Sequence, residues 1–279
     1  ALFVGAAAAL PVFASCSFGG RASAEAARAA SAMAQPPAPE LLIGLPGYQP
    51  LEPLSGPLRI GIQPGHWRID ELPDELSRLR TSPGAAYGSL RELDLNLAVA
   101  RLVAERLAAS GHAAELVPAA VPPGYRADLF VSIHADRADR PDRRGWKLSP
   151  PWRPSRRSKE LAEAMAAAFR ASGLAEDAGG VTANMRGYFG FSWWRYGSVL
   201  SPYTPAVLVE MGFMGNEADR IRMRDRPDFY ADIILRGIAD FLASHDRADL
   251  EALVPVDYPS RFAGPPGAVA RPAPSAAAA

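Results

Sequence analysis

The sequence predicts an α/β fold, a single domain with a mostly parallel sheet flanked by helices on both faces. Short apolar runs rich in β-forming residues alternate with longer segments whose apolar residues recur every three or four positions. The runs at 58–64 and 128–134 are nearly continuous, as expected for strands covered on both faces. With 279 residues and 48% hydrophobic content, the chain can bury a large core. This alternation is typical of parallel sheets with crossover helices.

The individual elements follow from apolar periodicity and from Gly and Pro, which end them. Strands are predicted at 58–64, 113–119, 128–134 and 206–211. Helices are predicted at 92–109, 159–171 and 229–242. Pro64-Gly65 ends the first strand, and Gly111 and Gly173 follow the first two helices, where they are common stop signals.

The composition outside this domain predicts signal and tether segments. Residues 1–16 resemble a signal peptide or a lipoprotein signal, in which Phe13-Ala14-Ser15 would precede a lipidated Cys16; ordinary processing with an incidental Cys16 is the alternative. Residues 17–56 are rich in Ala, Pro and Ser and predict a flexible linker. The folded domain is predicted at 57–246, followed by a largely disordered C-terminal extension at 247–279. We therefore expect an extracytoplasmic protein, with a possible lipid anchor at Cys16.

Charge and cysteine content exclude several classes of function. Lys plus Arg and Asp plus Glu each number 30, so no net field attracts nucleic acid. Cys16 is the only cysteine, which excludes internal disulfides and a cysteine-rich zinc site in the domain. The sequence has no GxSxG, P-loop or GxGxxG motif after a strand. Metal chemistry in this domain would therefore use His and carboxylate ligands.

Four polar residues are predicted to share one edge of the sheet. His66 follows the first strand, His134 ends the third, Glu210 lies near the end of the fourth, and Glu92 opens a helix. Ligands of open α/β sheets bind beyond the carboxyl ends of the strands. Imidazole and carboxylate bind zinc where thiolates are absent, and a free carboxylate nearby can transfer protons. Alternatively, each His could be structural, Glu92 could cap its helix, and Glu210 could pair with an Arg.

The same residues lie in four segments that resemble the zinc-dependent N-acetylmuramoyl-L-alanine amidases. The segments are GIQPGHW at 61–67, RELDLNLAVA at 91–100, ADLFVSIHAD at 127–136 and PAVLVEMGFMGNEAD at 205–219. The resemblance implies that His66, Glu92 and His134 bind Zn²⁺ and that Glu210 is the catalytic acid/base. It also implies hydrolysis of the amide between N-acetylmuramic acid and L-alanine in peptidoglycan.

The chain departs from the family pattern near His66. The family usually has Asp where Gln63 stands and Gly-Gly after the first His, where this chain has Trp67. The 68–91 loop is also unusual, which raises the question of what supports His66, because a metal-bound His needs an acceptor for its other nitrogen. A non-catalytic wall-binding protein and a zinc hydrolase of another amide are the alternative functions.

Two further segments have open interpretations. The 137–159 segment is rich in Arg and is predicted to be a solvated loop, with substrate contact as the alternative. The aromatic 187–198 segment could wall the groove or pack in the core. His112 and His245 follow helices and are assigned structural roles.

Overall fold

A computed structural model describes residues 54–137, 140–177 and 179–251. The predicted signal at 1–16 and most of the linker and C-terminal extension lie outside these residues. None of the helices in the described part is long and apolar enough to span a bilayer.

The main sheet has five strands in the order β4-β1-β5-β7-β6. Its strands, in chain order, are β1 (Arg59–Pro64), β4 (Ala113–Leu116), β5 (Leu129–Asp136), β6 (Lys147–Ser149) and β7 (Ala206–Phe213). β1 pairs in parallel with β4 and β5, and β5 pairs in parallel with β7. β6 is antiparallel to β7 at the edge. A small hairpin of β2 (Ala86–Tyr87) and β3 (Leu90–Arg91) stands apart. The predicted mostly parallel sheet is confirmed.

The helices, in chain order, are α1 (Glu92–Ala109), α2 (Arg156–Ala171), α3 (Ala183–Arg186), α4 (Glu217–Asp225), α5 (Pro227–Ala243) and α6 (Arg247–Glu251). Three short 3₁₀ turns lie at Ile69–Glu71, Asp74–Leu79 and Phe189–Phe191. α2 begins three residues before the predicted start, because Ser155 caps it by accepting a hydrogen bond from the Ser158 N–H. α6 was not predicted, and its Leu250 is buried against the domain.

The two faces of the sheet are covered differently. Leu129, Val131 and Ile133 of β5 join the large core formed with α1, α2 and α5. Phe130, on the opposite face, packs with Met185 of α3 and with Phe191. Helices therefore lie on both faces, but three long ones cover one face, while short turns and loops cover the other. The carboxyl ends of β1, β5 and β7 meet at one edge, where the polar residues gather.

Candidate metal centre

His66 lies in the turn after β1, in an unusual backbone conformation. Its φ is 64°, in the left-handed region that non-glycine residues rarely occupy and that is found at functional sites. Nδ1 lies 2.9 Å from the carbonyl oxygen of Ser82. Because a carbonyl only accepts, Nδ1 carries the hydrogen, and Nε2 is left with its lone pair.

Glu92 is the first residue of α1 and is only 4% exposed. Its Oε2 accepts a hydrogen bond of 2.7 Å from the Ala85 N–H, which lies outside the helix. Its Oε1 lies 3.2 Å from Nε2 of His66 and 3.1 Å from Nδ1 of His134. Glu92 therefore faces the two histidines and does not cap its own helix.

His134, on β5, completes the cluster. The residue is 8% exposed, and Nε2 is buried without a hydrogen-bond partner in the described part of the chain. The rings of His66 and His134 meet edge to face, with centroids 5.2 Å apart. Both imidazoles therefore converge on the same carboxylate oxygen.

The donor set and its spacing fit a divalent metal. One ligand atom from each of His66, Glu92 and His134 lies within 4.8 Å of the others. Ligand atoms of tetrahedral zinc, with bonds of about 2.1 Å, lie about 3.4 Å apart, close to the spacing between Glu92 and each histidine. The lone pair of His66 Nε2 also faces a carboxylate oxygen, an arrangement that requires a proton or a cation. The three residues therefore fit a zinc ion.

Electrostatics keep this carboxylate ionised. Burial raises the pKa of Glu92, but hydrogen bonds with His134 and His66 outweigh burial, and the pKa lies well below its ordinary value. Burial lowers the pKa of His66, but the Glu92 carboxylate and the Ser82 carbonyl raise it above its ordinary value. The cluster thus holds a fixed negative charge that attracts either protons or a metal cation.

Glu210 lies opposite His134 in the β5–β7 register. Its Oε2 is sealed from solvent and has no hydrogen-bond partner among the described residues. Burial raises the pKa of Glu210 well above its ordinary value; the charges of Glu92 and Asp136 raise it further, and Lys147 lowers it. A raised pKa makes the protonated form of this carboxyl group easier to reach, as a group that takes up and delivers protons requires.

Lys147 is a polar residue of this edge that sequence reasoning missed as a site component. It lies opposite Glu210 in the β6–β7 register, is 2% exposed, and forms an ion pair with Asp136. Its Nζ also lies 4.7 Å from the centroid of the Phe213 ring. The Arg-rich character of 137–159 concealed a buried lysine in a short edge strand.

The hydrogen bonds of the Gln63 side chain go to residues other than His66. The side chain is fully buried, and its Oε1 accepts hydrogen bonds from the hydroxyls of Ser132 (2.9 Å) and Tyr188 (2.7 Å). Its Nε2 donates to the carbonyl of Pro118 at 2.8 Å. The Tyr188 ring in turn meets His134 edge to face at 5.6 Å. Gln63 therefore holds the Tyr188 side chain, whose ring packs beside His134.

The unusual 68–91 loop provides the support that His66 and Glu92 need. Ser82 and Ala85 supply the two backbone contacts described above, and Gly84 between them has a φ of 90°. A Cβ on Gly84 would lie 2.8 Å from both Glu92 Oε2 and His66 Cδ2. The loop thus packs its backbone directly against two of the three metal-ligand candidates.

The same loop is fastened to the aromatic 187–198 segment. The Glu75 carboxylate accepts hydrogen bonds from the N–H groups of Gly197 (3.1 Å) and Ser198 (2.8 Å). Arg78 donates to the Tyr196 hydroxyl at 3.0 Å. These contacts join residues more than a hundred positions apart, which sequence periodicity does not reveal.

The other candidates are mostly paired within the domain. Arg140 pairs with Asp142 and Arg143 with Asp177. The prediction of a solvated loop at 137–159 is wrong in part, because the segment contains β6 and the first residues of α2. The Arg153 guanidinium lies over the Trp194 ring at 4.7 Å. His245 contacts the Phe241 carbonyl and Glu160, away from the cluster.

Comparison with known proteins identifies the family. A sequence profile described as N-acetylmuramoyl-L-alanine amidase matches residues 60–240, more than half of the chain. No curated protein matches the chain.

Solved structures are similar to the chain in fold. An N-acetylmuramoyl-L-alanine amidase from Clostridium difficile 630 has 20% identity and a TM-score of 0.50, covering 69% of this chain and 100% of its own. An amidase from Nostoc punctiforme has 24% identity and a TM-score of 0.47, covering 68% and 99%. One from Mycobacterium smegmatis has 22% identity and a TM-score of 0.47, covering 67% and 98%. By the profile match, the chain belongs to the N-acetylmuramoyl-L-alanine amidase family.

Proposed function

We propose that the chain hydrolyses the amide bond between N-acetylmuramic acid and L-alanine in peptidoglycan. In this proposal His66, Glu92 and His134 hold a zinc ion, and Glu210 is the general acid/base. The observation that carries it is the convergence of three ligand atoms within 4.8 Å at the sheet edge that also holds Glu210, in a chain of the amidase family.

When bound, zinc would polarise the carbonyl under attack and lower the pKa of a coordinated water to about 7. The chain's own residues fix the ligands for this purpose. The Ser82 carbonyl holds the hydrogen of His66 on Nδ1, which presents Nε2 to the cluster. The Ala85 N–H occupies Oε2 of Glu92, which leaves Oε1 facing both histidines. The ligands are therefore oriented before a metal arrives.

Glu210 would handle the protons of the reaction. Amide hydrolysis needs a group that takes a proton from the attacking water and delivers one to the leaving nitrogen. The Oε2 of Glu210 is sealed from solvent and has no hydrogen-bond partner among the described residues, and its raised pKa favours proton uptake. Lys147 and Asp136, paired beside it, adjust that pKa in opposite directions.

The test uses purified full-length chain with measured metal content. We expect about one zinc per chain, release of stem peptides from purified peptidoglycan, loss of that release on chelation, and recovery when zinc is restored. Stoichiometric zinc without peptide release from several peptidoglycan types would refute the substrate assignment. Binding to insoluble walls without turnover, in both wild type and Glu210→Gln, would favour the wall-binding alternative.

The site of action is the second part of the proposal. We propose that residues 1–16 direct export, that 17–56 tether the 57–246 catalytic domain, and that Cys16 carries a lipid anchor. An amidase of this family meets its substrate outside the cytoplasm, which supports export. Fractionation of cells that express wild type or Cys16→Ser tests the anchor: release of the variant alone from the membrane fraction supports it, and equal partitioning refutes it.

A further inference from the structure

An open groove of about 700 Å³ lies between the β2–β3 hairpin and the turn after β7. One wall is Tyr87 of the β2–β3 hairpin, and the other is the turn after β7 with the start of α4. Arg144 lies at a third side. None of these groove residues belongs to the proposed metal centre.

Chain connections place the groove next to the ligands. Tyr87 is two residues after Ala85, whose N–H binds Glu92, so their Cα atoms are at most about 7 Å apart. On the other wall, the Met214 N–H donates to the Asp136 carbonyl at 2.8 Å, two residues beyond His134. The groove walls are therefore joined to residues next to Glu92 and His134, within reach of a substrate whose amide lies at the zinc site.

Two guanidinium groups line the groove: that of Arg220 is held by neighbouring residues, and that of Arg144 is exposed. Arg220 lies over the Tyr87 ring, 3.6 Å from its centroid, and its Nη1 donates to the Met214 carbonyl at 2.8 Å. This stacking and the hydrogen bond fix the guanidinium plane, and its other N–H groups donate to no further residue in the described part of the chain. Arg144 is exposed and, unlike Arg140 and Arg143, forms no ion pair within the described part of the chain.

We propose that this groove binds the stem peptide through its ionised carboxylates, with Arg144 and Arg220 as the pairing groups. The inference rests on the proposed function, which defines what the substrate carries. The acetylated sugars are neutral, and the lactyl carboxyl group forms the scissile amide. The ionised carboxylates of the substrate therefore belong to the stem peptide. Glu217 is the only acid among the groove residues, which leaves the groove with a net positive charge. Guanidinium groups bind carboxylates through paired, charge-assisted hydrogen bonds.

The test compares soluble muramyl peptides with free or amidated stem carboxyl groups. The groove variant carries Arg144→Gln and Arg220→Gln together. The control variant carries Arg101→Gln and Arg236→Gln, which remove two charges from α1 and α5. For the free-carboxyl substrate we expect the groove variant to raise KM by about tenfold or more with little change in kcat. For the amidated substrate, and in the control, KM should stay within about twofold of wild type. Zinc content should be equal in all proteins.

Three results would overturn the proposal. One is an equal rise in KM for both substrates, another is the same rise in the control, and the third is no rise in the groove variant. If zinc-loaded wild type cleaves neither substrate, the proposed function fails. The proposal that the groove binds carboxylates is then tested separately, by calorimetric binding of the tripeptide with free carboxyl groups. Weaker tripeptide binding by the groove variant supports the groove, and unchanged binding refutes it. If inorganic phosphate displaces the free and the amidated peptide equally well, the groove is a site for anionic polymers. That result would refute peptide recognition.

Discussion

Gly84→Ala should weaken metal binding while leaving the fold intact. The added Cβ would lie 2.8 Å from Glu92 Oε2 and His66 Cδ2, whereas ordinary contact begins near 3.4 Å. The two side chains would have to retreat by about 0.6 Å. Metal–ligand distances tolerate only about 0.2 Å, so the substitution moves two proposed ligands beyond the usual range.

The expected size follows from comparable changes around metal ligands. Mutation of outer contacts typically lowers metal affinity by about 10- to 100-fold, which is about 1.4 to 2.7 kcal/mol. A second effect is backbone strain, because Gly84 has a φ of 90°, and a side chain there costs about 1 to 2 kcal/mol of folding stability. Strain and displacement of the ligands must therefore be measured separately.

Gly88→Ala is the matched control. Gly88 lies in the same loop with a φ of 59°, but a Cβ there would meet nothing within 4 Å. Zinc affinity is measured by competition with a fluorescent chelator, and the stability of the metal-free proteins by urea unfolding. Both variants should lose stability through backbone strain, but only Gly84→Ala should lose zinc affinity. Equal zinc affinities in the two variants would refute the argument that the loop backbone positions the ligands.

Four further predictions concern Glu210, the 68–91 loop and Tyr188. Glu210→Gln should lower kcat by about 10²- to 10⁴-fold with zinc retained, measured by chromatography of released stem peptide; activity near wild type would contradict the proton role. Because the pKa of Glu210 is raised in the folded state, metal-free wild type should lose stability as pH rises above the ordinary glutamate value of 4.5, and urea unfolding of Glu210→Gln should lack that part of the decline. Glu75→Ala should release the 68–91 loop from Ser198 and speed zinc dissociation several-fold. An unchanged rate would show that the Glu75–Ser198 hydrogen bond does not influence the metal ligands. Tyr188→Phe should cost about 1 to 2 kcal/mol of stability in thermal unfolding, because Gln63 loses a buried donor; no loss would mean that water replaces it.

Much of the fold could be predicted because its central strands are nearly pure apolar runs. β1, β5 and β7 are buried on both faces, and α1 has the predicted bounds, 92–109. The shared edge of His134 and Glu210 also followed from strand ends, and the β5–β7 register places them opposite each other. The division of roles between ligands and acid/base came from family resemblance and remains a proposal.

The remainder depends on contacts that the sequence does not encode locally. β6 has three residues and a buried Lys147, so its strand character comes from pairing with β7 and not from an apolar run. The Ser82 acceptor for His66 is a backbone carbonyl, which any residue type can provide. Glu75 and Ser198 meet across 123 positions, beyond the reach of periodicity or motif spacing.

The neutral amide of Gln63 also bears on how such a chain can evolve. A carboxylate in its place could accept from Ser132 and Tyr188, but it could not donate to the Pro118 carbonyl. Exchange of Gln63 for Asp would therefore leave the Pro118 carbonyl without its donor and place a charge in a fully buried position. An Asp at this position would therefore need an accompanying change around Pro118, or a water molecule that donates to the Pro118 carbonyl.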